Sequence, residues 1–175
     1  MSRALFIGRF QPLHKGHEYA LNYILEREDE VIVAVGSTQD NFTLNNPLTT
    51  GERIEIIWEY LRSRNLTNRV IICSVPDINN NFVWPRHVMS LVPKFDIVYS
   101  GNELVLMLFE SAGVSVHRIL EKNREEYQGT MIRRKILRGE PWEQYVPKIV
   151  ARMLKQLGFE ERIRRLAKTL VTTKI

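Results

Sequence analysis

A single cysteine, Cys73, excludes an internal disulfide and any zinc site built on several thiolates. It lies in the apolar run VIICSV, where a buried thiol fits better than a nucleophile. Apolar runs are short throughout. None approaches the ~18–20 residues of a membrane span, and the N-terminal run is too short for the core of a secretion leader. A cytoplasmic protein with no membrane partner is the expectation. Internal repeats and low-complexity linkers are missing. So is the fingerprint GxGxxG, which sets aside the usual dinucleotide turn of dehydrogenases. Acidic residues number 20 against 25 basic ones, leaving a net charge of +5. That balance suits anionic ligands without requiring nucleic acid. Aromatic and basic residues are not interleaved as they are where single strands stack, so no nucleic-acid partner is expected. The basic residues are 17 Arg and 8 Lys. Arginine forks suit phosphate and carboxylate, and ion-pair networks would use them equally well.

What is present is an alternation. Runs 4–8, 31–36, 69–75, 95–101 and 114–119 are rich in Val and Ile and nearly continuous in apolar residues, as parallel strands covered on both faces should be. Helical periodicity lies between them. Residues 16–27 place Ala20, Leu21, Ile24 and Leu25 on one face. Residues 50–63 do the same with Ile54, Ile57, Trp58 and Leu61, and 102–112 with Leu104, Val105, Leu108 and Phe109. The pattern predicts an α/β fold with a doubly wound, mostly parallel sheet of five or six strands, Rossmann-like, with right-handed crossovers. The last third predicts helices over 129–138, 142–157 and 159–168, with Gly139 and Pro141 marking a break. At 175 residues a single domain is expected over 1–175, with a core at 3–120 and a C-terminal helical part at 129–168. A long polar loop from Ser37 to Pro47 is of the length that carries function or moves.

Ligands of such sheets bind at the carboxyl ends of the strands. Three strands end in tripeptides suited to close approach: Gly8-Arg9-Phe10, Gly36-Ser37-Thr38 and Gly101-Asn102-Glu103. After the first of them comes HKGH, with His14 and His17 three apart at the start of a helix. A metal would need more ligands than the neighbourhood offers. A nucleophile relay would need a serine or cysteine with a supporting acid. Packing or capping stays open, as does phosphate binding at a helix N-terminus, where free N–H groups and the helix dipole favour anions.

His14-Lys15-Gly16-His17 after a first strand resembles the HxGH signature of the nucleotidyltransferase superfamily. Gly129-Thr130-Met131-Ile132-Arg133-Arg134 resembles its C-terminal ISSTxIR motif. Tyr127-Gln128-Gly129 stands where that motif begins Ile-Ser-Ser, and the Thr-x-Ile-Arg core is kept. GRFQPLHKGH, PLTTGER (47–53), NFVW (81–84) and YSGN (99–102) are similar to the archaeal nicotinamide-nucleotide adenylyltransferases. The resemblance spans residues 4 to 168.

It implies a reaction of ATP with nicotinamide mononucleotide (NMN) that gives NAD and pyrophosphate. His14, His17 and Arg133 are the implied catalytic groups. Gly8, Arg9, Phe10, Gln11, Gly16, Gly101, Asn102 and Thr130 join them around ATP, with Gly16 leaving room for the nucleoside. Gly36, Ser37, Arg53, Asn81 and Trp84 are the implied NMN and NAD contacts, with Trp84 stacked on the nicotinamide. For Arg53 a solvated helical charge is an equal alternative, and Asp77 reads as an Asx turn. Mg²⁺ is implied on the ATP phosphates, with no protein ligand assigned to it. A homo-oligomer is implied, a hexamer among the options. Sister enzymes that transfer AMP or CMP to pantetheine phosphate, flavin mononucleotide or glycerol phosphate would share the histidines, and a nucleotide sensor or nucleic-acid-binding module on the same fold is the reading from another class.

Overall fold

The structure is a computed structural model and describes residues 1–120 and 127–172. Five strands are seen among the described residues: β1 (Arg3–Gly8), β2 (Glu30–Val35), β3 (Val70–Ser74), β4 (Ile97–Ser100) and β5 (Ser115–Arg118). All pair in parallel, in the order β3-β2-β1-β4-β5. Every strand falls on an expected run. Val31 to Val35 are all buried, because helices cover β2 on both faces and β-branched residues pack well there.

Side-chain alternation splits the core in two. Ala4, Phe6, Val31 and Val33 face a large cluster that continues without a break to Phe159 and Ile163 near the C-terminus. It is covered by α1 (Lys15–Leu25), α2 (Thr50–Ser63), α5 (Gly129–Arg138), α6 (Lys148–Gln156) and α7 (Phe159–Thr172). Leu5, Ile32, Ala34 and Val98 face a smaller cluster under α3 (Trp84–Leu91) and α4 (Glu103–Ser111).

Four local expectations are corrected. Helix α2 turns Arg53, Ile56, Ile57, Tyr60 and Leu61 inward and leaves Trp58 exposed, since the buried arginine takes a place that hydrophobicity alone would not give it. Helix α4 reads ELVLMLFES, apolar on nearly every side. Its pattern therefore cannot choose a face, and Leu106 and Phe109 go in while Leu104 stays out. Residues 84–91, where no helix is expected, form α3 with Pro85 in its first turn. The single helix expected over 142–157 is broken: a short 3₁₀ turn at Glu143–Tyr145 precedes α6, and Pro147 caps α6.

Candidate active site

Between β1 and β4 the strand order reverses, which is where doubly wound sheets open a crevice. A cavity of about 330 Å³ lies there, lined by residues 6–11, His14, His17, residues 100–102, residues 127–130 and Arg133. It brings together the ends of β1 and β4 and the starts of α1 and α5. Of the residues expected around ATP, all except Gly16 are in this lining. No carboxylate is among the described lining residues, while Arg9 and Arg133 both are. With no acid beside it among the described residues, the nearly buried Arg133 guanidinium leaves the cavity ready for anions. Burial, with Arg9 nearby as a second cause, pushes the Arg133 pKa down to about 10, so the group stays charged at neutral pH.

The histidines form a reciprocal cap on α1. His14 Nδ1 accepts the His17 backbone N–H at 3.4 Å, and His17 Nδ1 accepts the His14 N–H at 3.3 Å. The rings stack at 3.7 Å, and Phe10 stacks on the far side of His17 at 4.3 Å. The capping alternative is thus met, and both rings also line the cavity. The cap also sets the tautomer. With each Nδ1 accepting, each ring carries its proton on Nε2 and presents it as a donor. Burial, and then the charge of Arg133, lowers the His14 pKa to about 3. Burial, and then His14, holds His17 well below its ordinary 6.5. Both rings are neutral donors at neutral pH. The third helical N–H is already used by His14, so α1 offers anions less free backbone than its sequence suggested.

Gly16 lies outside the lining of this cavity. A side chain there would come within 2.9 Å of the His14 ring and 3.0 Å of the Tyr127 carbonyl; its bareness makes room for the imidazole. Gly8 likewise makes room for Phe10 and His17, whose atoms would lie 3.0 and 3.3 Å from a Cβ. On the opposite wall, Arg133 donates to the Gln11 carbonyl at 2.6 Å and to Thr130 Oγ1 at 3.2 Å. Helix α5 has no side-chain cap at its N-terminus, so its first turn brings its dipole to the cavity. Asn102 caps α4 through its carbonyl, accepting from Leu104 N at 3.0 Å.

The residues expected to contact NMN lie outside the lining of this cavity. Arg53 is corrected on both of its readings. It is fully buried, and its donors go to the carbonyls of Arg9 (2.9 Å), Gly36 (2.7 Å), Ser37 (3.2 Å) and Thr49 (3.4 Å) and to Thr50 Oγ1 (3.2 Å). Those are all five N–H groups of a guanidinium, leaving none for a phosphate. Gly36 donates its N–H to the Gly8 carbonyl at 2.8 Å, tying the ends of β1 and β2 together. Ser37 Oγ donates to Asp77 at 2.5 Å, so Asp77 is a partner across two loops. Asn81 is exposed. Trp84 is half-buried, edge-on to Phe109 at 5.6 Å. Sequence reasoning missed Ser100, Tyr127 and Gln128 in the lining, and the use of Gln11, whose carboxamide bonds both ways to the Leu48 backbone at 2.9 Å. Among the described residues no cluster of three or more His, Cys, Asp or Glu is placed to hold a metal, and no helix is long and apolar enough to cross a membrane.

The cytidylyltransferase-like family model matches residues 5–135. The nicotinamide-nucleotide adenylyltransferase of Pyrococcus furiosus is 45% identical over 97% of this chain and 92% of its own. That of Pyrobaculum aerophilum is 48% identical over 94% and 93%. The crystal structure of a bifunctional NMN adenylyltransferase/ADP ribose pyrophosphatase from Francisella tularensis, complexed with AMP and a manganese ion, superposes with a TM-score of 0.74 at 21% identity. It covers 94% of this chain, which spans about half, 51%, of that longer one. The chain therefore belongs to the cytidylyltransferase-like family, in the branch of the nicotinamide-nucleotide adenylyltransferases.

Proposed function

We propose that this protein joins ATP and nicotinamide mononucleotide to form NAD and pyrophosphate, with the ATP phosphates in the cavity between β1 and β4. The observation that carries the reading is that cavity: the HxGH and Thr-x-Ile-Arg elements, over 110 residues apart in the chain, meet on its two walls with no carboxylate between them among the described residues. The relatives' names supply the acceptor.

The residues fit a reaction that needs no general base. The attacking group is the 5′-phosphate of the acceptor, whose second pKa is about 6, so it is mostly dianionic at neutral pH. It attacks the α-phosphorus, a new P–O bond forms, and the α–β bridging P–O bond breaks. Pyrophosphate takes the electron pair. The protein has to align two anions and stabilise charge on the leaving group. In this reading His14 and His17 donate Nε2–H to phosphate oxygens as neutral groups. Arg133 holds the β- and γ-phosphates with its remaining donors, and the first turn of α5 adds its dipole. Among the described residues the cavity lining does not make a metal shell. A divalent cation, Mg²⁺ in the first instance, would arrive on the ATP phosphates, keep oxygen and water ligands, and neutralise charge there. Gly101 and Asn102 lie beside the adenosine, and Trp84 and Asn81 face the acceptor. The reading also takes residues 1–175 as one domain of a cytoplasmic homo-oligomer; residues 121–126 and 173–175 are outside the described part.

Incubation with ATP, Mg²⁺ and the mononucleotide should yield NAD. Turnover of pantetheine phosphate or flavin mononucleotide in its place would overturn the acceptor. In the same assay Trp84→Ala should raise the acceptor KM about ten- to a hundredfold, the worth of one stacked base. Trp84→Phe, which keeps a ring, should lose less. A rise in the ATP KM instead would move Trp84 to the other substrate.

A further inference from the structure

Residues 36–49, between β2 and α2, form the longest connection without a helix or strand among the described residues. Its two feet are held from inside the fold. Arg53 takes the carbonyls of Gly36 and Ser37, and Gln11 takes the backbone of Leu48. Its middle is exposed from Gln39 to Thr43, and α7 reaches it from outside. Arg162 of α7 forms a two-pronged pair with Glu52, 2.7 and 2.8 Å, and donates to the Pro47 carbonyl at 3.2 Å. Its guanidinium lies 4.7 Å from the centre of the Phe42 ring. Both charged side chains are mostly buried, at 17% and 19% exposure, so this is not a solvated surface pair of the kind worth little. Glu52 at the same time accepts the Thr49 N–H at 2.9 Å and completes the cap of α2. One arginine near the C-terminus thus fixes the loop at Phe42, at Pro47 and at the helix that follows.

Loop position passes onward. Ser37 Oγ and Gln39 Oε1 both bond to Asp77, at 2.5 and 2.9 Å, and Asp77 begins the segment that leads into Asn81 and Trp84. Arg162, Phe42, Pro47, Gln39 and Asp77 are not among the residues that line the ATP cavity; lining residues meet the loop at its feet, Gly8 at Gly36 and Gln11 at Leu48. We propose that Arg162 is a positioning residue for the acceptor: by holding Phe42 and Pro47 it sets the loop that in turn sets Asp77 and the Asn81–Trp84 segment. The inference rests on the acceptor lying against that segment.

The test measures KM for each substrate in Arg162→Ala, Arg162→Lys and Phe42→Ala, with thermal midpoints alongside. Arg162→Ala should raise the acceptor KM about tenfold or more, in line with the cost of small misplacements, with the ATP KM unchanged within about twofold. Arg162→Lys keeps the charge without the fork and should recover part of the loss. Phe42→Ala removes an exposed ring, carries little risk to folding, and should raise the acceptor KM by a smaller factor. A lower thermal midpoint with unchanged acceptor KM in Arg162→Lys and Phe42→Ala overturns the proposal; so do equal rises in both KM values. Trp84→Ala separates the two levels. If it raises the acceptor KM while the Arg162 and Phe42 variants do not, the positioning role fails and the acceptor site stands. If Trp84→Ala leaves that KM unchanged, the acceptor site itself is misplaced.

Discussion

Replacing His17 with asparagine should lower turnover by about 10²–10³ while leaving α1 in place, the usual cost of one donor lost from a charge-stabilising site. The choice of asparagine follows from the cap. His17 uses Nδ1 to accept the His14 N–H and leaves Nε2 for the cavity. An asparagine carbonyl can stand where Nδ1 stands, so the cap survives and only the Nε2 donor is lost. Alanine would remove both, and loss of a cap alone costs about 0.5–2 kcal/mol. His17→Gln, whose amide nitrogen reaches further, should keep more activity than His17→Asn. Equal activity in wild type and His17→Asn would refute the phosphate role. The pH dependence of stability gives a second reading of the same site. A histidine whose pKa is depressed in the folded state binds its proton less readily there than in the unfolded chain. Stability is then fully present above the unfolded pKa near 6.5 and is lost as pH falls toward the folded value, about 3 for His14. His17 is depressed in the same direction. The wild-type thermal midpoint should therefore drop as pH is lowered from about 7 to about 5, and His17→Asn, with one such group removed, should drop less. A steeper fall in the variant would mean that the imidazole is not buried neutral.

What the sequence showed of this site, and what it hid, follows one division. Strand positions were legible because the runs are short, rich in Val and Ile and set between helical patterns, most plainly at Val31 to Val35, which are all buried. The cavity was legible because its walls are built by motifs local in sequence: Gly8 to Gln11 at one strand end, His14 to His17 at one helix start, and Thr130 to Arg133 at another. Arg53 was not. Its partners Arg9, Gly36 and Ser37 come together only when β1 and β2 pair, so a window of helix shows a charge and no reason to bury it. Gly16 was read for a ligand, but its neighbour in space is His14, two residues away, and Tyr127, more than a hundred away. The Arg162–Glu52 pair is hidden for the same reason. A run such as EERIRR is a solvated face by composition, and only the packing of α7 against the rest selects one arginine from it.

Gly129 is the clearest case of a residue whose demand is set by such a distant partner, and changing it should have an effect as large as losing His17. A Cβ at Gly129 would lie 2.7 Å from the Gln11 carbonyl oxygen and 3.0 Å from Arg133 Nη1. The first of these is backbone, held by the 2.6 Å bond from Arg133 itself, so it cannot swing aside as a side chain would. Either the start of α5 or the Gln11 segment has to move, and both carry cavity walls. Misplacement by about 1 Å can cost on the order of 10²-fold in rate. Gly129→Ala should therefore lower kcat/KM for ATP by about that factor. Gly129→Ser should do no better, although it restores the serine that the superfamily motif has at this position, because the obstacle is the first side-chain carbon and not the absence of a hydroxyl. Gly51→Ala is the control: it also sits in the first turn of a helix, nothing lies within 4 Å of its added Cβ, and alanine is the better helix former by about 1 kcal/mol. That variant should keep wild-type turnover with an equal or higher thermal midpoint. Full activity in Gly129→Ala would show that the contact between Gln11 and Arg133 can loosen without cost, and that Arg133 does not depend on it to hold the phosphates.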